Sequence, residues 1–211
     1  MYITWLGQSC FKIQGKEVTI VTDPYDQTTG LKLPRMSADI VTVSHDHYDH
    51  NYVSAISGNH FLINTPGEYE VKKVFIYGIP SWHDDKEGKE RGANTIYLFE
   101  FEELKIAHLG DLGSSLSDEQ LEKLEAVDIL MIPVGGVFTL NAKGAAQVIS
   151  QIEPRMVIPM HYKVPGLKIN IDGLDKFSKE MGAKREEPLD KLRITKKDLP
   201  AEETKIIILK C

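Results

Sequence analysis

Residues 44–50 read Ser44-His45-Asp46-His47-Tyr48-Asp49-His50, or SHDHYDH. Three histidines and two aspartates stand within six consecutive positions, from His45 to His50. A packed core excludes such a run, and a solvated turn has no need of it. Side chains with free lone pairs crowded into one loop point to a metal centre, with a metal-free His/Asp proton-transfer pair as the alternative. The run leaves "ADIVTVSH" (residues 38–45), a β-branched segment that reads as a strand. His45 and His47 lie two positions apart, so a chain leaving the strand in extended form points both the same way. Asp49 and His50 follow where the chain turns, and address the same cavity from a second direction. Nitrogen and oxygen donors in this number suit zinc, manganese, iron, nickel or cobalt rather than calcium.

Working outward, the first half reads as strands and the second as alternating helix and strand. "EVTIVTD" (residues 17–23) is a second β-branched run, and Pro66-Gly67 marks a turn between two further extended pieces. "NTIYLFEFEELKIAHLGD" (residues 94–111) reads as a hairpin with Glu102-Glu103 at its turn. Ser117 with Gln120 three positions on is a capping-box signal for a helix. Ala142, Ala145, Ala146, Ile149 and Ile152 recur at helical spacing until Pro154. Leu174, Phe177 and Met181 share one face of a third helix that Gly182 stops. The apolar runs "VDILMIPVGG", "RMVIPMHY" and "TKIIILK" read as strands, and the charged stretch at residues 184–203 as a solvated excursion. This order suggests sheets covered by helices. With no repeat, low-complexity linker or composition shift, residues 1–211 are expected to form a single domain.

Bulk properties narrow the function. Of 211 residues, 42% are apolar and 27% charged, the balance of a folded globular protein. A net charge of −6 disfavours nucleic acid as a partner. Two cysteines, Cys10 and Cys211, exclude a thiolate-rich zinc or iron–sulfur site and make a disulfide framework improbable. The start "MYITWLGQSC" lacks a basic segment followed by an apolar run, and no apolar stretch reaches membrane-spanning length. The expectation is a cytoplasmic protein that acts on a small molecule and crosses no membrane, with homo-oligomerisation left open.

HDHYDH matches the His-x-His-x-Asp-His signature of the metallo-β-lactamase superfamily. The rest of the chain resembles that family in order: "VTDP" supplies Asp23, "SWHDD" His83, "HLGDLG" Asp111 and "IPMHY" His161. "WLGQSCF", "TPGEYEV", "RGANTIY" and "IPVGG" resemble the small prokaryotic branch that includes ascorbate-6-phosphate lactonase-like hydrolases. The resemblance implies an α/β fold, an αββα sandwich of two mixed β-sheets flanked by helices. It also implies a two-metal site. His45, His47 and His83 would hold one divalent ion, most simply zinc, with manganese, iron or nickel as substitutes. Asp49, His50 and His161 would hold the second, Asp111 would bridge, and Asp23 would orient a ligand histidine. Asp49 and Asp111 are the expected catalytic carboxylates.

Two such ions, about 3.5–4 Å apart, can share a hydroxide and attack a carbonyl or phosphoryl centre. The expected reaction is therefore hydrolysis of a small anionic ester, lactone or phosphodiester. The alternatives are an RNA-directed nuclease, a flavin-linked redox enzyme, disfavoured because His47 stands where such relatives carry glutamate, and a non-catalytic metal module. Arg91, eight residues after His83, is a candidate to meet an anionic substrate group. His60 and His108 read as structural, and Asp46 and Tyr48 are not expected to be ligands. Gly135-Gly136 permits a tight turn. Loops at residues 27–36 and 163–171 are expected to decide substrate choice.

Overall fold

The computed structural model describes residues 1–183 and 187–211. In chain order the first strands are β1 (Tyr2–Gly7), β2 (Cys10–Gln14), β3 (Thr19–Thr22), β4 (Met36–Ser37), β5 (Ile40–Thr42), β6 (Ile56–Ser57), β7 (Phe61–Ile63) and β8 (Gly67–Val71). There follow β9 (Val74–Trp82), β10 (Ala93–Phe101), β11 (Leu104–His108), β12 (Ile129–Pro133), β13 (Met156–Met160), β14 (Leu192–Arg193) and β15 (Lys205–Ile206). The α-helices are α1 (Asp118–Lys123), α2 (Ala142–Ile152) and α3 (Leu174–Glu180).

Two mixed sheets result, ordered β14-β1-β2-β3-β5-β7 and β15-β13-β12-β11-β10-β9-β8. Strands β12 and β13 are buried along their whole length, which explains why both read as unbroken apolar runs. Strands β3 and β5 alternate instead. Ile20 and Ile40 enter the large core shared by both sheets, while Val21 and Val41 join a second cluster with Tyr25, Ala38 and Ile56. Helices α2 and α3 close the large core through Ala145, Val148, Ile149 and Phe177. The second cluster is covered by Leu31 and Leu33 from irregular chain, Met36 from β4 and Val53 from a short 3-10 turn. Across the sheets, the buried Tyr97 hydroxyl lies 2.9 Å from the Val43 carbonyl.

The α/β fold class stands, and the expected hairpin, capping box and three helices are present. Ser117 accepts from the Gln120 amide while the Gln120 side chain accepts from the Ser117 amide. The stretch expected to be a solvated excursion is corrected in part. Residues 192–193 form an edge strand against Tyr2 and Ile3, because Leu192 and Ile194 alternate into the core. Residues 184–186 of that stretch lie outside the described residues.

Topology places one edge of both sheets in a special position. Strands β3 and β5 pair in parallel, as do β11, β12 and β13. Two antiparallel pairings separate β1 from β3, and two separate β9 from β11, so each runs in the same sense as its partner. The C-terminal ends of these strands therefore open on a common edge, where ligands bind in sheets of this kind. The segments that leave them carry Gln8, Asp23, His45–His50, His83, Asp111 and His161.

Candidate metal centre

After β5 the chain bends at residues 44–46 rather than continuing extended. The rings of His45 and His47 still meet, with centroids 4.5 Å apart and planes at 83°, so the bend rather than strand alternation brings them together. A turn closes behind them: the amides of His50 and Asn51 donate to the His47 carbonyl at 2.9 and 3.0 Å. That turn swings Asp49 and His50 back toward His45, whose ring centroid lies 4.2 Å from that of His50.

Asp23 holds this loop from beneath. Its Oδ1 accepts from the Ser44 amide at 2.8 Å, and its Oδ2 from the Ser44 hydroxyl at 2.6 Å. The same Oδ2 lies 2.9 Å from His50 Nδ1, which turns the other ring nitrogen, Nε2, toward the cluster. His83 follows β9 and packs its ring 4.6 Å from His45 and 5.2 Å from His47. Its backbone runs so close to Gly113 that a β-carbon there would sit 2.3 Å from the His83 carbonyl oxygen.

Asp111 is the hub. One oxygen, Oδ2, lies 3.1 Å from His50 Nε2, 3.3 Å from His161 Nε2 and 3.5 Å from His83 Nε2. The other, Oδ1, accepts from the Ser9 hydroxyl at 3.2 Å. Among the described residues, three groups offer ligand atoms within 4.8 Å of one another: His45, His47 and His83; His45, His50 and Asp111; Asp49, His50 and His161. All seven candidate ligands thus meet at one place. Arg91 stands at the mouth, its guanidinium carbon 5.2 Å from the Phe138 ring centroid. His108 is separate: its Nε2 lies 2.7 Å from the Ser9 carbonyl and its ring is edge-on to Phe11. His60 and Asp46 also lie outside the three groups. Gly135 approaches His161 as Gly113 approaches His83, since a β-carbon at Gly135 would sit 2.1 Å from the His161 carbonyl oxygen.

The donor set fits divalent cations. Buried ring nitrogens normally find hydrogen-bond partners, yet among the described residues His45 Nε2, His83 Nδ1 and His161 Nδ1 have none. Burial holds the His45 pKa down to about 2, aided by His50, so its ring is neutral and able to coordinate. Burial also lowers His83. His50 goes the other way: burial opposes its charge, but Asp111 and Asp49 outweigh burial and raise its pKa well above normal. Asp49 and Asp111 stay ionised despite burial, because the surrounding imidazoles lower their pKa. Carboxylates that demand positive charge beside neutral imidazoles are the environment a metal ion satisfies.

Residues 2–161 match the β-lactamase superfamily domain. A solved structure from Thermotoga maritima, described as a candidate zinc-dependent hydrolase of the metallo-β-lactamase superfamily, is 34% identical and superposes with a TM-score of 0.80 over 99% of each chain. The chain belongs to the metallo-β-lactamase superfamily. Within this superfamily it resembles metal-dependent hydrolases designated UPF0173. One from Thermococcus onnurineus is 30% identical over 76% of this chain and 84% of its own. Another from Methanopyrus kandleri is 30% identical over 77% and 84%. The protein is a metal-dependent hydrolase of the superfamily, and no helix among the described residues is long and apolar enough to cross a membrane.

Sequence reasoning assigned no role to two residues of this superfamily site, Gln8 and Ser9. Gln8 is fully buried, and its Nε2 lies 3.1 Å from Asp49 Oδ2 and 3.2 Å from His161 Nε2. Its carbonyl accepts from the His161 amide at 3.1 Å and from Trp5 Nε1 at 2.8 Å. The available signal was a polar Gln-Ser pair inside the apolar "WLGQSCF", where exposure alone would not explain it.

Proposed function

We propose that the protein is a dinuclear, most simply zinc-dependent, hydrolase of small carboxylic esters, lactones or phosphodiesters, working as one domain over residues 1–211. His45, His47 and His83 would hold one cation, Asp49, His50 and His161 the second, with Asp111 shared between them. The observation that carries this reading is the convergence of five imidazoles and two carboxylates in three linked groups, each with its ligand atoms within 4.8 Å of one another. When bound, the cations supply an activated hydroxide and positive charge for the oxyanion that develops.

The chain's own residues do the positioning. Asp23 fixes the Nδ1 proton of His50, so that Nε2 presents its lone pair. Ser9 and Gln8 each hold one carboxylate of the floor, Asp111 and Asp49. With Asp49 Oδ2 tied to Gln8, its second oxygen is left to orient a water by accepting a hydrogen bond from it. Above this floor lies a cleft of 540 Å³, walled by Tyr48 and Phe138, a size suited to a small molecule.

Elemental analysis of the purified protein is expected to return two equivalents of divalent metal. A screen of lactones, thioesters and bis-aryl phosphodiesters is expected to find turnover that Asp111→Ala abolishes together with metal binding. Stoichiometric metal without hydrolysis of any of these classes refutes the reading.

A further inference from the structure

The mouth of the cleft carries two cations that the centre below does not use. Arg91 and Lys168 both line it, on loops that follow β9 and β13. Among the described residues neither comes within ion-pair range of a carboxylate, Asp49 and Asp111 included. Many other basic residues are paired, as Lys72 is with Asp39 and Lys196 with Asp128. The remaining carboxylate of the lining, Glu90, is engaged by Lys86.

Both cations stand on organised loops. Asp84 is buried and accepts from the backbone amides of Lys86, Gly88, Glu90 and Arg91 at 2.8, 2.9, 3.0 and 2.7 Å. Its carboxylate thereby knots residues 84–91 into a fixed turn, and Phe138 backs the Arg91 guanidinium at 5.2 Å. The second loop is held by Lys163, whose Nζ donates to the carbonyls of Leu167 and Ile169 at 2.6 and 2.8 Å. Between those two anchors the Lys168 amide donates to Thr29 at 2.7 Å, and its side chain is exposed. With both loop backbones anchored, the ordering entropy on meeting an anion is confined largely to the two side chains.

We propose that Arg91 and Lys168 form an anion-binding subsite at the mouth of the cleft. The substrate is then an ester with a carboxylate or phosphate group remote from the bond that is cleaved, its apolar part lying against Tyr48 and Phe138. This deepens the hydrolase reading above and rests on it for the cleaved bond. In a chain of net charge −6, a cleft with two unneutralised cations over a metal-loaded floor concentrates anions by its field.

The test compares the metal-loaded enzyme with its Arg91→Ala/Lys168→Ala double variant and with Lys168→Glu, whose exposed position spares the fold. The matched substrates are 4-nitrophenyl butyrate and carboxylate-tailed mono-4-nitrophenyl glutarate. The ratio of kcat/KM, charged over neutral, is expected to fall about tenfold or more in the double variant, chiefly through KM, and to fall also in Lys168→Glu. An unchanged ratio overturns the proposal. Calorimetric binding of glutarate and of inorganic phosphate to the same proteins needs no turnover. About tenfold weaker binding of one anion in the double variant supports the subsite and says whether carboxylate or phosphate is its ligand. Equal affinity in the two proteins overturns it. Anion binding that depends on the pair without hydrolysis of any ester removes the hydrolase reading and leaves the subsite. Hydrolysis with no charge preference does the reverse.

Discussion

Asp23→Asn isolates one link in the centre without changing its shape. The carboxylate faces three donors: the Ser44 amide at 2.8 Å, the Ser44 hydroxyl at 2.6 Å and His50 Nδ1 at 2.9 Å. An asparagine there can keep its oxygen on the Ser44 amide and donate to the Ser44 hydroxyl, which rotates to accept. Its second N–H then confronts His50 Nδ1, which must give up its proton to become an acceptor. The ring proton then rests on Nε2, the nitrogen that lies 3.1 Å from Asp111 Oδ2. The lone pair offered to a cation is lost. Removing such a supporting group weakens metal binding by about 10–100-fold, or roughly 1.4–2.7 kcal/mol. The metal-free protein is expected to lose about 1–3 kcal/mol for the disturbed buried bonds. Chelator competition measures the affinity, and nitrogen NMR of the imidazoles reads the tautomer of His50. Unchanged affinity with the proton still on Nδ1 refutes the reasoning.

Three further outcomes are expected. Gln8→Ala leaves Asp49 Oδ2 without its amide donor, so the cation that Asp49 is proposed to hold is expected to bind at least about tenfold more weakly, measured by the same competition. Gly135→Ala forces a β-carbon to within 2.1 Å of the His161 carbonyl oxygen, and the backbone shift is expected to cost about 1–3 kcal/mol in chemical denaturation. The metal-free protein is expected to be most stable near pH ~6.5. Below that pH the unfolded chain protonates histidines that burial keeps neutral in the fold, His45, His83 and His108, so stability falls with acid. Above it the fold still holds the His50 proton that the unfolded chain releases, so stability falls again as pH rises through the raised His50 pKa. Bound metal replaces that proton and is expected to flatten the alkaline limb. A thermal-melt series with and without metal that shows the same alkaline slope contradicts this account.

Composition and local pattern carried much of this protein. Ligand chemistry was legible because imidazoles and carboxylates, the usual side-chain donors for such cations, crowd into one short run. The order of strands and helices followed from β-branched runs, the Ser117 capping box and the Ala142–Ile152 periodicity, all set within a few residues of chain. The edge strand at residues 192–193 was hidden because two residues carry no period and their partners lie at the other end of the chain. Gln8 and Ser9 were hidden because an amide and a hydroxyl are common in turns, and only burial against Asp49 and Asp111 gives them a purpose. The pairing of Arg91 with Lys168 over one cleft joins loops 77 residues apart, counted from 91 to 168. Which donors a chain owns is a property of its covalent structure. Which of them share a cation, a proton or an anion depends on strand direction and sheet pairing, which set the distances that decide electrostatic interaction.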